Sequence, residues 1–116
     1  MSFSALFVIT ADPRRSGRVA EAVRIAAGLG AWKKVDVAVY LREAAVLALG
    51  ENTDDLVDEE NYARYLPVLG QAVARIYVQQ GAPLLPRLGQ ATLPLEEISD
   101  ARLAELAAAR NYVLRF

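Results

Sequence analysis

The chain has 116 residues, 54% of them hydrophobic, and 13 basic against 14 acidic side chains leave a net charge of -1. That length fits one domain spanning residues 1–116, and the near-neutral balance lacks the basic excess that binding a phosphate backbone draws on, so nucleic acid is not an expected partner. With no cysteine and no histidine, disulfides, thiolate zinc sites and a serine–histidine triad are out of reach; no metal or cofactor is expected, and the composition weighs against an enzyme.

Residues 5–10 form an unbroken apolar run with β-branched members, the pattern of a central strand buried on both faces. No basic residue precedes the run, and it is too short for a signal peptide or a membrane span, so the expected location is cytoplasmic with no membrane partner. Residues 11–17 are polar and hold Pro13 and Gly17. After them Val19, Ala22, Val23, Ala26 and Ala27 recur at helical spacing and predict a helix over 18–29, with Ser16 placed to cap its start and Gly28 and Gly30 as a flexible exit. Val35, Val37 and Val39 alternate with Asp36 and Ala38, predicting a second strand over 34–41, and the strand–helix–strand order implies a parallel crossover.

Residues 43–49 suit one or two helical turns closed by Gly50, and the acidic stretch 51–60 reads as an exposed loop feeding negative charge to the next helix start. The acidic spacing does not fit an EF-hand, so no calcium site is expected there. Tyr62, Tyr65, Leu66 and Leu69 share a helical face, although Pro67 should kink or split that helix. Residues 73–79 read as a third strand, 81–86 as a turn, and 91–96 as at most a short strand because of Pro94. Ser99 is placed to cap a helix over 100–109, with Ile98 stapling onto Leu103 and Arg110 at the negative end. Residues 111–116 close the order as a strand with Tyr112, Leu114 and Phe116 on one face. The tyrosines and Trp32 are expected to supply core or subunit-interface area, and the high apolar content favours association.

Pro94-Leu95, then Leu103, Leu106 and Asn111-Tyr-Val-Leu-Arg-Phe116, together with Tyr62, Leu69 and residues 41–50, resemble the DsrE/DsrF/DsrH (TusB/TusC/TusD) sulfur-relay family. The likeness is greatest to its DsrF/TusC branch, whose closing Tyr-x-x-x-Leu-Arg-Phe strand appears here with one residue removed. The resemblance implies a three-layer α/β/α fold with a mainly parallel sheet of about five strands, and assembly as a homo-oligomer or with related subunits. It also implies a sulfur-carrying cysteine after the third strand. The matching place here holds Gln79 or Gln80, neither of which can form the thiolate that persulfide chemistry needs. A non-catalytic scaffold, or a partner subunit for a cysteine-bearing relative, is the role that survives.

Ligands in open α/β sheets sit where loops leave the carboxyl ends of strands. Those loops hold Thr10, Asp12, Arg14, Arg15 and Ser16 after the first strand, Arg42 and Glu43 after the second, and Gln79 and Gln80 after the third. The adjacent arginines before a helix start could hold an anion, which makes small-molecule or anion binding the alternative function. The loop matches neither the dinucleotide nor the P-loop fingerprint, so its arginines could equally be solvated or face a neighbouring subunit. Asp12 and Glu43 could serve acid–base chemistry only if the fold brought them together.

Overall fold

The first apolar run becomes β1, Phe3–Ile9, in a computed structural model that describes residues 3–73 and 75–116. It is followed by α1, Arg18–Trp32, and β2, Val35–Leu41. A 3-10 helix, Glu43–Leu49, leads through an exposed loop to α2, Glu59–Ala72. Next come β3, Ile76–Gln79, a short 3-10 turn, Leu85–Arg87, and β4, Leu95–Ile98. Helix α3, Asp100–Ala108, and strand β5, Tyr112–Arg115, complete the order.

The five strands form one sheet in the order β4-β3-β2-β1-β5, with every pairing parallel. Parallel crossovers are right-handed almost without exception. The chain steps in one direction from β1 to β4, which places α1 and α2 on one face. It then returns across the sheet to the far side of β1, which places α3 on the other.

Alternation along the strands divides the core accordingly. Ala5, Phe7, Ile9, Val37, Val39, Leu41, Ile76 and Val78 pack with α1 and with Tyr62, Leu66 and Leu69 of α2. Leu6, Val8, Ala38, Tyr40 and Ile98 face Leu106 of α3, flanked by Leu103 and Ala107. The second face has the thinner cover, since Leu106 is the one buried side chain of α3. Phe116 stacks on Phe7 with ring centroids 5.7 Å apart, joining the residue after β5 to the larger core.

Several elements depart from the sequence expectation. Helix α1 does not leave at its glycines but runs on to Trp32, and Lys33, at φ 63°, makes the left-handed exit. Gly30 serves packing instead: a Cβ there would lie 2.6 Å from the Cβ of Ala72, so its bare backbone lets α1 and α2 approach. Gly17, not Ser16, occupies the start of α1, and the Ser16 Oγ accepts from the Arg18 N–H at 3.1 Å. Pro67 sits inside an unbroken α2, which loses the one hydrogen bond a missing N–H removes while burial of Tyr62, Leu66 and Leu69 holds the helix.

The third strand is shorter than 73–79: Val73 closes α2 with its N–H on the Leu69 carbonyl at 3.0 Å, and Ala74 lies outside the described residues. Pro94 stands just ahead of β4, where its absent N–H costs nothing and its carbonyl accepts from the Ile76 N–H at 2.9 Å. Ser99 caps α3 as expected, accepting from the Arg102 N–H at 3.2 Å. Arg110 turns away from the end of α3 to Asp36, 3.3 Å away. The aromatic residues divide sharply. Tyr40 and Tyr62 are core, whereas Phe3, Trp32 and Tyr112 are more than half exposed. Among the described residues no helix is long and apolar enough to cross a membrane.

Candidate functional site

The registers Ile9↔Leu41 and Leu41↔Val78 bring the carboxyl ends of β1, β2 and β3 side by side. The loops leaving them form two side-chain clusters.

The first lies above β1. Thr10 is held by β5's continuation, its N–H donating to the Phe116 carbonyl at 2.8 Å and its hydroxyl to the same oxygen at 3.3 Å. Asp12 folds the loop back on itself. Its Oδ1 accepts from the Arg14 N–H and Nε, each at 3.0 Å, and its Oδ2 from Arg14 Nη2 at 2.9 Å. This fork-on-carboxylate pair, together with the Arg14 backbone N–H and Arg15 nearby, holds the Asp12 carboxyl below its ordinary range and raises the Arg14 guanidinium. Arg15 reaches Asp12 only at 3.9 Å and leaves 87% of its side chain in solvent. The arginine fork that could have received an anion is therefore engaged within its own loop.

The second cluster joins the ends of β2, β3 and β4. Arg42 Nη1 donates to the Tyr40 hydroxyl at 2.9 Å and to Asp100 Oδ1 at 2.7 Å. The bond to Arg42 lowers the Asp100 carboxyl, and the Asp100 and Tyr40 contacts together raise the Arg42 guanidinium. Gln79 Oε1 accepts from the Glu43 N–H at 2.9 Å, bracing a residue whose φ of 56° lies in the left-handed region, uncommon for a side-chain-bearing residue. The Gln80 N–H donates to the Ile98 carbonyl at 3.0 Å. Gln79, Gln80, Ile98, Ser99 and Asp100 line a hollow of about 170 Å³.

The fold thus gathers Arg42, Gln79 and Gln80 around Ser99 and Asp100, and keeps Thr10, Asp12, Arg14, Arg15 and Ser16 in a loop of their own. Among the described residues no side-chain hydrogen bond or ion pair joins the two clusters. Asp12 is tied to Arg14, and the Glu43 N–H donates to Gln79. Asp100 is the neighbour of the candidate residues that sequence reasoning missed. It stands 58 residues from Arg42 and carries a helix-start signal that already accounted for its charge. In the acidic stretch all carboxylates are exposed and Leu56 is buried, and among the described residues no group of three or more Asp, Glu, His or Cys side chains comes together as a metal set.

No protein-family model matches the chain, and no curated protein does. Its fold is similar to the crystal structure of the YchN protein from E. coli, with a TM-score of 0.79 and 18% identity over 100% of both chains. At that identity the likeness speaks for the fold alone. It supports an α/β architecture with a five-stranded parallel sheet between helices.

Proposed function

We propose that the chain is a single non-catalytic DsrE/DsrF-like domain of the cytoplasm, nearest the DsrF/TusC branch, serving sulfur relay as an oligomeric scaffold or partner subunit without carrying persulfide. The observation that carries this reading is the use made of the end of β3. Where the resemblance implies a reactive thiol, Gln79 spends its side-chain oxygen on bracing Glu43, and Gln80 is bound through its backbone to Ile98. Both residues serve the shape of the loops, and the chain holds no cysteine.

The occupant of the association surface is a second copy of the chain. Tyr62 is buried and cannot serve such a surface, but β5 is an edge strand whose Tyr112 and Val113 are exposed beside Phe3. Phe3 and Tyr112 pack ring to ring at 6.1 Å, and an apolar groove of about 320 Å³ runs between them, Leu29 and Val35. Exposed aromatic surface of this kind beside a free strand edge favours pairing. Light scattering on the purified chain should give a defined oligomer that Phe3→Ser with Tyr112→Ser converts to monomer. A sulfane donor should leave the isolated chain unmodified. A persistent monomer that also fails to associate with a cysteine-bearing relative overturns the scaffold reading.

A second reading, small-molecule or anion binding, is favoured by one observation: Arg14, Arg15 and Arg42 all leave the carboxyl ends of the neighbouring strands β1 and β2. An anion would have to draw Arg14 from Asp12 or Arg42 from Asp100. Sulfate should raise the melting temperature and Arg14→Ala with Arg15→Ala should abolish the rise. A melt unmoved by sulfate removes this reading.

A further inference from the structure

The sheet ends in two edges, β5 and β4, which differ in what each would offer a second copy of the chain. The direction of the main-chain groups along β5 follows from its pairing with β1. The Phe116 N–H donates to the Val8 carbonyl at 2.9 Å, and the Phe116 carbonyl accepts from the Thr10 N–H at 2.8 Å, so both groups of Phe116 point at β1. Successive residues of a strand alternate in direction, and the parallel register carries that phase back through Leu114 and Tyr112. The N–H and C=O groups of Val113 and Arg115 therefore point away from β1, where the sheet has no further strand. Tyr112, Val113 and Arg115 are exposed along this edge.

A twofold axis brings two identical edges together antiparallel, each supplying the same patch. On β5 the axis that uses every outward group passes through Leu114. Val113 of each copy then faces Arg115 of the other, in a pair that exchanges both its main-chain bonds. Leu114 faces its own counterpart in a non-hydrogen-bonded pair, where Cα atoms approach to about 4.5 Å and apolar side chains meet. Tyr112 comes opposite Phe116 on the same face, and Arg115 meets valine rather than another arginine. The same construction fails on β4. There the Pro94 carbonyl accepts from the Ile76 N–H and the Ile98 carbonyl from the Gln80 N–H, so Leu95 and Glu97 point outward and the axis passes through Glu96. Glu96 would directly oppose Glu96, a destabilising like-charge pair, and charge on an exposed strand is a common guard against edge pairing.

We propose that two copies of the chain join by antiparallel addition of β5 to β5 about an axis through Leu114, making one sheet continuous across the pair. This pairing rests on the self-association reading above and names the atoms that carry it, the outward N–H and C=O groups of Val113 and Arg115.

Sedimentation velocity on the full chain should report a dimer or an assembly of dimers. Val113→Pro removes an N–H that β1 does not use, and proline is tolerated on a free edge. It should weaken the dimer about a hundredfold, roughly tenfold for each of the two bonds lost across the axis, with the circular dichroism of the monomer unchanged. Leu114→Cys adds a readout independent of that variant, because the chain has no cysteine of its own. The facing pair falls within disulfide reach, so mild oxidation should link two copies, whereas Val113→Cys, opposite arginine and out of reach of its counterpart, should stay unlinked. A parent dimer that Val113→Pro leaves equally tight, or that Leu114→Cys fails to cross-link, overturns β5 pairing and leaves self-association through another surface. A parent chain that stays monomeric overturns the pairing together with the self-association beneath it.

Discussion

Arg42 reaches from the end of β2 to Asp100 at the start of α3, Nη1 to Oδ1 at 2.7 Å, while the same nitrogen donates to the hydroxyl of buried Tyr40. One guanidinium therefore fastens the lone helix of the thinner face and satisfies a core tyrosine.

Arg42→Ala should lower stability by about 1–3 kcal/mol, because the Tyr40 hydroxyl is left inside the fold without its partner. Adding Tyr40→Phe should recover part of that loss, whereas Asp100→Asn, at an exposed and screened carboxylate, should cost less than Arg42→Ala. Urea unfolding of the three variants checks the ordering. Equal losses for Arg42→Ala and Asp100→Asn would place the effect in the ion pair instead.

Tyr62→Phe should stabilise the free protein by about 1 kcal/mol, since it deletes a buried hydroxyl that has no partner. It should also change the alkaline limb. Burial first, and the charge of Asp58 second, raise the Tyr62 phenol above its ordinary value of 10.0. Its neutral form is favoured in the fold, so its share of stability is complete below that value and falls away as pH rises toward the folded value. The phenylalanine variant should lose less stability above about pH 10 than the parent, as read by denaturation at a series of pH values.

The opposite sign applies to Asp12. Its carboxyl is held below the ordinary value of 3.8, chiefly by the Arg14 hydrogen bonds. The stability it contributes is complete above 3.8 and is lost as pH falls through the lower folded value. Asp12→Asn should leave a shallower decline in acid, and the melting temperature between neutral pH and pH about 2 is the measurement.

The two glycines inside α1 should respond in opposite directions. At Gly28 an added Cβ meets nothing within 4 Å, so Gly28→Ala should gain the helix preference of alanine, about 0.5–1 kcal/mol. At Gly30 the added carbon meets Ala72 on α2, and Gly30→Ala should give a net loss of about 1–2 kcal/mol by forcing the helices apart. Thermal unfolding of the pair decides it, and equal effects would mean that the α1–α2 approach is not close.

These glycines also show where the sequence was legible and where it was not. The period of Val19 through Ala27 announced α1, and the alternating valines announced β2, because both signals are local and repeat along the chain. Whether Gly30 ends a helix or admits a neighbouring one depends on Ala72, a residue no local pattern connects to it. Pro67 illustrates the same limit: its backbone chemistry argued for a break, and burial of three side chains on α2 outweighed it. In the strand-end loops the sequence offered candidate residues without their partners, since Asp12 claims Arg14 from two positions away and Asp100 claims Arg42 from across the sheet.

The seat of β5 beside β1 has a kinetic corollary. Ala5 must wait for Tyr112, and Val8 for Arg115, before the middle of the sheet acquires its second neighbour. During synthesis β1 can pair with β2 early but presents a bare flank until more than a hundred further residues have been made. A nascent chain stalled after β4 would be exposed there to adventitious strand addition, and its vulnerability to aggregation would end with the arrival of four residues, Tyr112–Arg115.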